Sequence, residues 1–205
     1  DMAADLKIVT NNRGGGCIAE DFNNDGYLDL VTSAWGLDDP MHYFRNNADG
    51  TFTDVSRESG LYELTGGLNM VQTDYNNDGW IDIFVLRGAW QGVSGFGEQP
   101  NSLIRNNGDG TFSDVTTDAG LLSFHPTQTA TWNDFNGDGW LDLFVANESA
   151  SGNDLHACEF YVNNKNGTFT NMAEATGTNI QAFIKGVTSG DYDNDGLPDL
   201  FFSTM

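Results

Sequence analysis

The chain has 205 residues and a formal net charge of −22, with 30 Asp plus Glu against eight Lys plus Arg. Nucleic-acid phosphates and anionic membrane surfaces would repel a chain this acidic, so we expect neither as a partner. Hydrophobic residues make up 39% and aromatic residues 12%, which excludes intrinsic disorder. No stretch approaches the roughly 18 consecutive apolar residues of a membrane span, so we predict no membrane insertion.

Four acidic segments of one design recur along the chain: DFNNDGYLD (21–29), DYNNDGWID (74–82), DFNGDGWLD (134–142) and DYDNDGLPD (191–199). Each has Asp or Asn at positions 1, 3, 5 and 9 and Gly at position 6. This pattern directs side-chain oxygens toward one centre, and Gly permits the sharp turn. An EF-hand loop would place Glu at position 12, whereas position 12 is never acidic here. The pattern therefore predicts calcium loops that join two strands.

Asp, Asn and Gly also dominate ordinary turns, which is the alternative interpretation, but a turn does not need four inward oxygens. The repetition favours one Ca²⁺ per loop, about four in all. The expected ligands are the side chains at positions 1, 3, 5 and 9 and the backbone carbonyl at position 7. These residues are Asp21, Asn23, Asp25, Tyr27 and Asp29; Asp74, Asn76, Asp78, Trp80 and Asp82; Asp134, Asn136, Asp138, Trp140 and Asp142; and Asp191, Asp193, Asp195, Leu197 and Asp199.

A second motif follows each of the first three loops. It reads YFRNNADGTFTDV (43–55), LIRNNGDGTFSDV (103–115) and YVNNKNGTFTNM (161–172). Each segment places an Asp-Gly or Asn-Gly pair between two strand-like runs, which is typical of a tight hairpin. Together with the strands that flank each loop, every unit therefore contains four predicted strands.

The spacing of these units predicts the architecture. Successive loops begin 53, 60 and 57 residues apart, a period typical of propeller blades. We predict an all-β fold, a β-propeller of four-stranded antiparallel blades, within one domain over 1–205. The repeats cover approximately 14–60, 66–120, 126–177 and an incomplete 185–205. Propellers close with about four to eight blades, so three and a half blades predict a fragment, or a ring that another chain completes.

Loops and hairpins together resemble the FG-GAP/VCBS repeats of integrin α-chain propellers. They resemble more closely the cartilage acidic protein family and its bacterial relatives with ASPIC/UnbV domains. The closer resemblance is carried by GGLNMVQTDYNNDGWIDIFVLRGAW (66–90), PNSLIRNNGDGTFSDVTTDAGL (100–121), HPTQTATWNDFNGDGWLDLFVANE (125–148) and KGVTSGDYDNDGLPDL (185–200). It implies a calcium-bound, secreted or surface-exposed propeller, usually seven-bladed, with roles in adhesion or interaction.

Topology separates two faces of such a propeller. Calcium loops and hairpin turns share one face, and the other connections share the opposite one, hereafter the connection face. Binding residues concentrate in variable loops, and Trp and Arg are typical anchors. We therefore expect a protein or glycan partner on the connection face; the alternative is that its aromatic residues pack between blades. The candidate residues are Trp35, His42, Arg87, Trp90, Phe96, His125, Glu148 and His156.

Two other functions stay open. The three His residues, with nearby Arg and Glu, would suit a polysaccharide-active lyase or hydrolase. The other possible function is that of a structural subunit of a surface assembly, in which the propeller packs against copies of itself. The sequence contains no nucleophile motif, no HExxH motif and no Gly-rich phosphate loop, so we expect a binding module rather than an enzyme.

The two cysteines say little about location. Cys17 and Cys158 have no metal-ligand partner nearby in the sequence, so we expect both to be buried as small apolar residues. A disulfide between them is the alternative. Open calcium loops indicate the high Ca²⁺ concentration found outside cells. We therefore expect an extracellular, secreted or cell-surface protein, with the periplasm as a further option.

Overall fold

The computed structural model describes residues 2–10, 12–36, 39–87, 99–149 and 155–205. It contains three four-stranded antiparallel sheets and one two-stranded sheet, and consecutive strands are neighbours in each. The strands are β1 (Gly14–Glu20), β2 (Asp29–Ala34), β3 (His42–Asn46), β4 (Phe52–Asp54), β5 (Asn69–Thr73), β6 (Asp82–Leu86), β7 (Ser102–Asn106), β8 (Phe112–Asp114), β9 (Thr127–Asn133), β10 (Asp142–Asn147), β11 (Glu159–Asn163), β12 (Phe169–Asn171), β13 (Ile184–Gly190) and β14 (Asp199–Thr204).

The sheets are propeller blades in chain order: blade 1 is β1–β4, blade 2 is β5–β8, blade 3 is β9–β12 and blade 4 is β13–β14. The predicted all-β fold of antiparallel blades is confirmed, whereas a seven-bladed ring stays a prediction. Among the described residues, helical structure is limited to α1 (Ala3–Leu6), α2 (Ala173–Thr176) and a 3-10 turn (Leu61–Glu63). Within the described ranges, no helix is long and apolar enough to cross a membrane.

The second strand of blade 2, β6, contributes side chains to two separate hydrophobic cores. Every residue of β6 is buried. Successive strand side chains point to opposite faces, so Ile83 and Val85 pack with blade 1 while Phe84 and Leu86 pack with blade 3. Burying each such side chain stabilises the fold by about 1.5–3 kcal/mol. The second strand of blade 3 divides in the same way between its two neighbours.

The first strand of each blade lies at the inner edge of the array. Strand β5 contacts β1 and β9, and β9 contacts β13. Polar side chains link these inner strands: Gln72 Nε2 donates to Glu20 Oε1 at 3.3 Å, and Asn133 Nδ2 donates to Ser189 Oγ at 3.0 Å. The inner edge is therefore more polar than the cores between blades.

A backbone hydrogen bond joins neighbouring blades at each of the first two junctions, the one between blades 1 and 2 and the one between blades 2 and 3. Phe112 N, in blade 2, donates to Ser59 O, which follows blade 1, at 2.9 Å. Phe169 N, in blade 3, donates to Ala119 O, which follows blade 2, at 2.9 Å. The fourth strand of one blade thus pairs with the turn after the preceding blade.

A buried asparagine closes the same junctions near the acidic loops. Asn106 Nδ2 donates to Phe22 O, and Asn163 Nδ2 donates to Tyr75 O, each at 2.9 Å. Each bond joins the hairpin of one blade to position 2 of the preceding loop. The hairpin asparagines therefore fix the position of the loop beside them.

The two cysteines differ in exposure. Cys158 is buried, as expected, but the expectation for Cys17 was wrong, since its side chain is exposed. Ile18 points into the core between blades 1 and 2, and alternation along β1 turns its neighbour Cys17 to the opposite face. Both residues are free thiols.

Candidate metal centres and partner surface

The loop backbones are wound tightly at two positions. Position 4 of the first loop, Asn24, has φ 57°, and position 6, Gly26, has φ 90°. Both values lie in the left-handed region, which favours Gly and tolerates Asn. The same conformations recur at Asn77 and Gly79, Gly137 and Gly139, and Asn194 and Gly196. The turn at position 6 was predicted from its Gly, whereas the second turn, at position 4, was not predicted, although Asn or Gly occupies that position in every loop.

Side-chain oxygens at positions 1, 3 and 5 turn into the loop. In the first loop, Asp21 accepts the N–H groups of Asp25 and Gly26 at 2.9 and 2.8 Å. Asn23 Oδ1 accepts the N–H of Asp25 at 3.0 Å, and Asp25 Oδ1 accepts that of Tyr27 at 2.9 Å. The other three loops make the same bonds. These bonds hold the three side chains of each loop close to one another.

The carboxylate at position 9 ties the loop to the third strand. In the first three blades this residue is buried, and its Oδ1 accepts a backbone N–H from the end of that strand. The pairs are Asp29 with Asn46 at 2.7 Å, Asp82 with Asn106 at 2.8 Å and Asp142 with Asn163 at 2.9 Å.

Burial makes these carboxylates costly to charge. Loss of solvation raises the pKa of Asp82 to about 7, and the like charges of Asp74 and Asp78 add to the effect, whereas two backbone N–H groups oppose it. Desolvation is also the main cause of the raised pKa of Asp29 and of Asp142. A cation in the loop would lower all three pKa values by stabilising the charged forms.

The arrangement fits a calcium ion. In the fourth loop, carboxylate oxygens of Asp191, Asp193 and Asp195 lie within 4.8 Å of one another. Ca²⁺–oxygen bonds of 2.3–2.6 Å allow ligands up to about 5 Å apart. An oxygen-only donor set of this kind is what a hard divalent cation prefers.

The loops are also connected to one another. Asn24 Nδ2 donates to Gly79 O at 3.1 Å, and Asn77 Nδ2 donates to Gly139 O at 3.4 Å. Position 4 of one loop therefore contacts position 6 of the next. Gly137 occupies position 4 of the third loop and has no side chain with which to continue the series.

A lysine distinguishes the third loop. Lys165 Nζ lies 3.2 Å from Asp138 Oδ2. It occupies the left-handed position in the hairpin of blade 3, where blades 1 and 2 have Ala48 and Gly108. Its ammonium group thus lies beside a predicted metal ligand.

Four of the predicted partner residues reach the connection face to different degrees. Trp35 is exposed, with the Arg13 guanidinium 5.5 Å from its ring centroid. His42 is half-buried and stacks on Phe44. His125 and His156 are half-buried and contact each other. Trp90 and Phe96 lie outside the described residues.

The prediction of Arg87 as an exposed anchor was wrong. Its side chain is buried, and its guanidinium donates to the carbonyl oxygens of Thr65, Gly66 and Pro100 and to Ser102 Oγ. Burial lowers its pKa to about 10. Arg87 therefore holds two connections together from within, because its five N–H donors can satisfy several carbonyl groups at once.

Glu148 is likewise unsuited to direct partner contact. It is buried, and its Oε1 lies 2.6 Å from Lys185 Nζ in blade 4. Its backbone forms an isolated β-bridge with Phe183. A buried carboxylate needs such a cation nearby, so this ion pair joins blade 3 to blade 4.

Three apolar side chains that the sequence analysis overlooked are exposed instead. Leu122 and Phe124, both in the β8–β9 connection, are each 49% exposed, and Leu155, in the β10–β11 connection, is 52% exposed. All three lie on the connection face. Their exposure depends on how the connections turn, which composition alone does not indicate.

Comparison with known proteins identifies the class to which this architecture belongs. The FG-GAP-like repeat matches residues 21–85, 74–145 and 134–202, which together extend over most of the chain. Each match runs from one acidic loop to the strand after the next loop. The chain belongs to the FG-GAP-like repeat family.

Two similar proteins share one name. Cartilage acidic protein 1 of Xenopus tropicalis is 27% identical over 207 residues, which cover 99% of this chain and 30% of that protein. Cartilage acidic protein 1 of Homo sapiens is 28% identical over 174 residues, which cover 80% of this chain and 24% of that protein. The resemblance inferred from the sequence is confirmed, and the chain spans less than a third of the length of either relative.

Proposed function

We propose that the chain is a calcium-binding, extracellular β-propeller module that binds a protein or glycan partner through its connection face. In this proposal Ca²⁺ has a structural role, with one ion in each of the four loops. The observation that carries it is the set of inward-turned side-chain oxygens at positions 1, 3 and 5 of each loop, which in the fourth loop includes three carboxylates within 4.8 Å of one another. A turn without a metal would not require three converging side-chain oxygens.

The structural role follows from what the position 9 carboxylate contacts. Asp82 accepts N–H groups from Tyr75, in the loop, and from Asn106, at the end of β7. When bound, the ion would supply positive charge that favours the ionised carboxylate. The charged carboxylate would then strengthen both hydrogen bonds. Calcium would thereby fix the loop to the hairpin of the same blade.

The extracellular location rests on the loops and on the relatives. Most loop residues at positions 1 to 6 are exposed or half-buried, and open sites of this kind match the calcium affinities of about 10⁻⁴–10⁻³ M found in extracellular modules. The two relatives are named for cartilage. Both points support a calcium-rich environment for this chain.

The partner surface rests on exposed apolar groups. Trp35, Phe124 and Leu155 lie exposed on the connection face, and rings and aliphatic groups on variable connections are typical interaction residues. Arg57, in the same surface, lies 3.7 Å from the ring centroid of Tyr62. Aromatic and Arg groups of this kind suit a protein surface or the apolar face of a sugar ring.

Metal analysis tests the calcium proposal. We expect about four Ca²⁺ per chain and a lower melting temperature in EGTA, because a ligand that binds only the folded state stabilises it, by about 2.7 kcal/mol per site at 100 times Kd. Asp134→Ala should remove one ion. Asp109→Asn is the matched control, since blade 3 has Asn166 at the same hairpin position, and it should retain every ion. Equal melting with and without EGTA would contradict the proposal.

A binding screen tests the partner surface. The calcium-loaded protein is compared with a Phe124→Ser/Leu155→Ser variant on an array of neutral oligosaccharides and on immobilised basic peptides. Both residues are about half exposed, so we expect the variant to keep its melting temperature and lose binding. A variant that binds both probe sets as well as the parent does would show that this part of the face is not the contact surface.

A further inference from the structure

Two imidazole rings meet on the connection face, away from the calcium loops. His125 precedes β9, and His156 lies in the β10–β11 connection. Their Nδ1 atoms are 2.9 Å apart, with ring centroids 5.1 Å apart and ring planes 64° apart. Both side chains are half-buried, so solvent reaches them.

The backbone of His156 is fixed independently of its ring. Ser149 Oγ accepts the His156 N–H and donates to the His156 carbonyl, at 2.8 Å in both cases. Ser149 is itself buried, and its N–H donates to Ala182 O at 3.0 Å. The ring therefore projects from an anchored segment.

The backbone of His125 is fixed in a similar way. Thr127 Oγ1 donates to the His125 carbonyl at 3.1 Å. The next residue, Pro126, accepts the N–H of Glu148 at 2.8 Å. This bond holds the segment that carries His125 against the strand that leads toward His156. Hydrogen bonds therefore hold both backbone segments in place, which keeps the two rings close to each other.

Two Nδ1 atoms at this distance must share one proton, because one nitrogen donates and the other accepts. A divalent cation can take the place of that proton. Zinc binds imidazole nitrogen at 2.0–2.1 Å in tetrahedral geometry, so two such ligands lie about 3.3 Å apart. To bind one ion, the rings must separate by about 0.4 Å from the observed 2.9 Å and also turn so that both Nδ1 lone pairs point to one centre.

We propose that His125 and His156 form a two-histidine site for a borderline transition-metal ion, with Zn²⁺ as the reference ion. Imidazole nitrogen suits Zn²⁺, Cu²⁺ and Ni²⁺, whereas the oxygen loops suit Ca²⁺. The described residues supply two protein ligands, so the remaining coordination positions are open to water or to a side chain from a partner. The site is therefore weaker than a four-ligand structural zinc site and lies beside the exposed Phe124 and Leu155.

Calorimetric titration with ZnCl₂ tests the proposal in the full chain. Saturating Ca²⁺ occupies the acidic loops, and a Cys17→Ser background removes the exposed thiol. We expect one Zn²⁺ per chain, with an affinity at least about tenfold lower in His125→Gln and in His156→Gln. His42→Gln is the matched control, because it removes the third histidine of the chain and should leave zinc affinity unchanged.

A second measurement does not depend on variants. In NMR spectra of the parent protein, Zn²⁺ should shift the ring signals of His125 and His156 and leave those of His42 in place, and a chelator should reverse the shift. Failure of the parent to bind Zn²⁺, or undiminished affinity in both glutamine variants, would overturn the site and leave a hydrogen-bonded histidine pair. Neither result bears on the number of calcium ions, so the two proposals fail separately.

Discussion

Single residues couple each acidic loop to its blade, and Asp82 shows how. It is 1% exposed, and burial raises its pKa to about 7. In the metal-free protein, burial therefore favours the protonated carboxyl group. A cation nearby favours the charged form instead. Ionised Asp82 would thus destabilise the metal-free fold, and a bound cation would offset that cost.

This residue sets a pH dependence in the metal-free protein. The folded pKa is raised above an unfolded value of about 3.9, so the stabilising contribution of protonated Asp82 is complete below about pH 4. It is lost as pH rises toward about 7. We expect the unfolding free energy of the wild type in EGTA, measured with urea, to fall over this window relative to Asp82→Asn. Parallel pH curves for the two proteins would contradict the raised pKa.

Sequence patterns predicted single residues well where the backbone dictates the choice. The side chains of Asp21, Asn23 and Asp25 lie close together, as predicted. Their spacing in the sequence and the residue preferences of the turn determine the conformation of the loop. Arg87 and Glu148 were misassigned because their burial depends on how connections from two blades fold over them. The contact between Lys165 and Asp138 depends likewise on how closely hairpin and loop approach. Tertiary packing, which local pattern does not encode, decides such positions.

Strand-scale organisation was more predictable than the joints between blades. Alternating hydrophobic runs and Asx-Gly turns correctly indicated antiparallel strands and hairpins. The joints were not foreseen, because they pair side chains with backbone carbonyls in another blade. Asn106 and Phe22, for example, are 84 residues apart in sequence. No local signal marks such a pair, although the repeated Asn-Asn of the hairpins could have suggested a shared role.

The buried hairpin asparagine should contribute most to the unfolding free energy where it bonds to a preceding blade, as Asn163 does between blades 2 and 3. Asn163 Nδ2 donates to Tyr75 O and Leu141 O, at 2.9 and 3.1 Å, so Asn163→Ala leaves two carbonyl groups unpaired. We expect a loss of about 2–3 kcal/mol in unfolding free energy, measured by urea denaturation.

Asn46, in blade 1, provides the matched control for that substitution. It occupies the same hairpin position, but it is half-buried, and its Nδ2 donates within its own blade, to Leu28 O. Asn46→Ala should cost about 1 kcal/mol or less. Equal losses in the two variants would show that the bond across the junction contributes no extra stability.

Across the whole molecule, charge is concentrated where the loops are. They hold 13 of the 30 acidic residues, within a chain of net charge −22. Four bound Ca²⁺ would bring this to about −14. Repulsion among the loop carboxylates should therefore be strongest in the metal-free protein.

Salt should distinguish the two states of the protein. The electrostatic screening length falls from about 10 Å at 0.1 M ionic strength to about 3 Å at 1 M. Added salt therefore weakens the repulsion among exposed carboxylates. We expect added NaCl to raise the melting temperature more in EGTA than in calcium, as measured by calorimetry. A larger increase in calcium would show that repulsion among the loops is not what destabilises the metal-free chain.

The two-sided strand β6 has an evolutionary consequence. Ile83 and Val85 complete the core with the preceding blade, and Phe84 and Leu86 begin the core with the following one. A gene segment that encodes one repeat therefore carries both halves of an interface. Tandem duplication of such a segment creates a new junction with its complementary surfaces already present. Arrays of this kind can lengthen by copying, without a fresh core having to evolve each time.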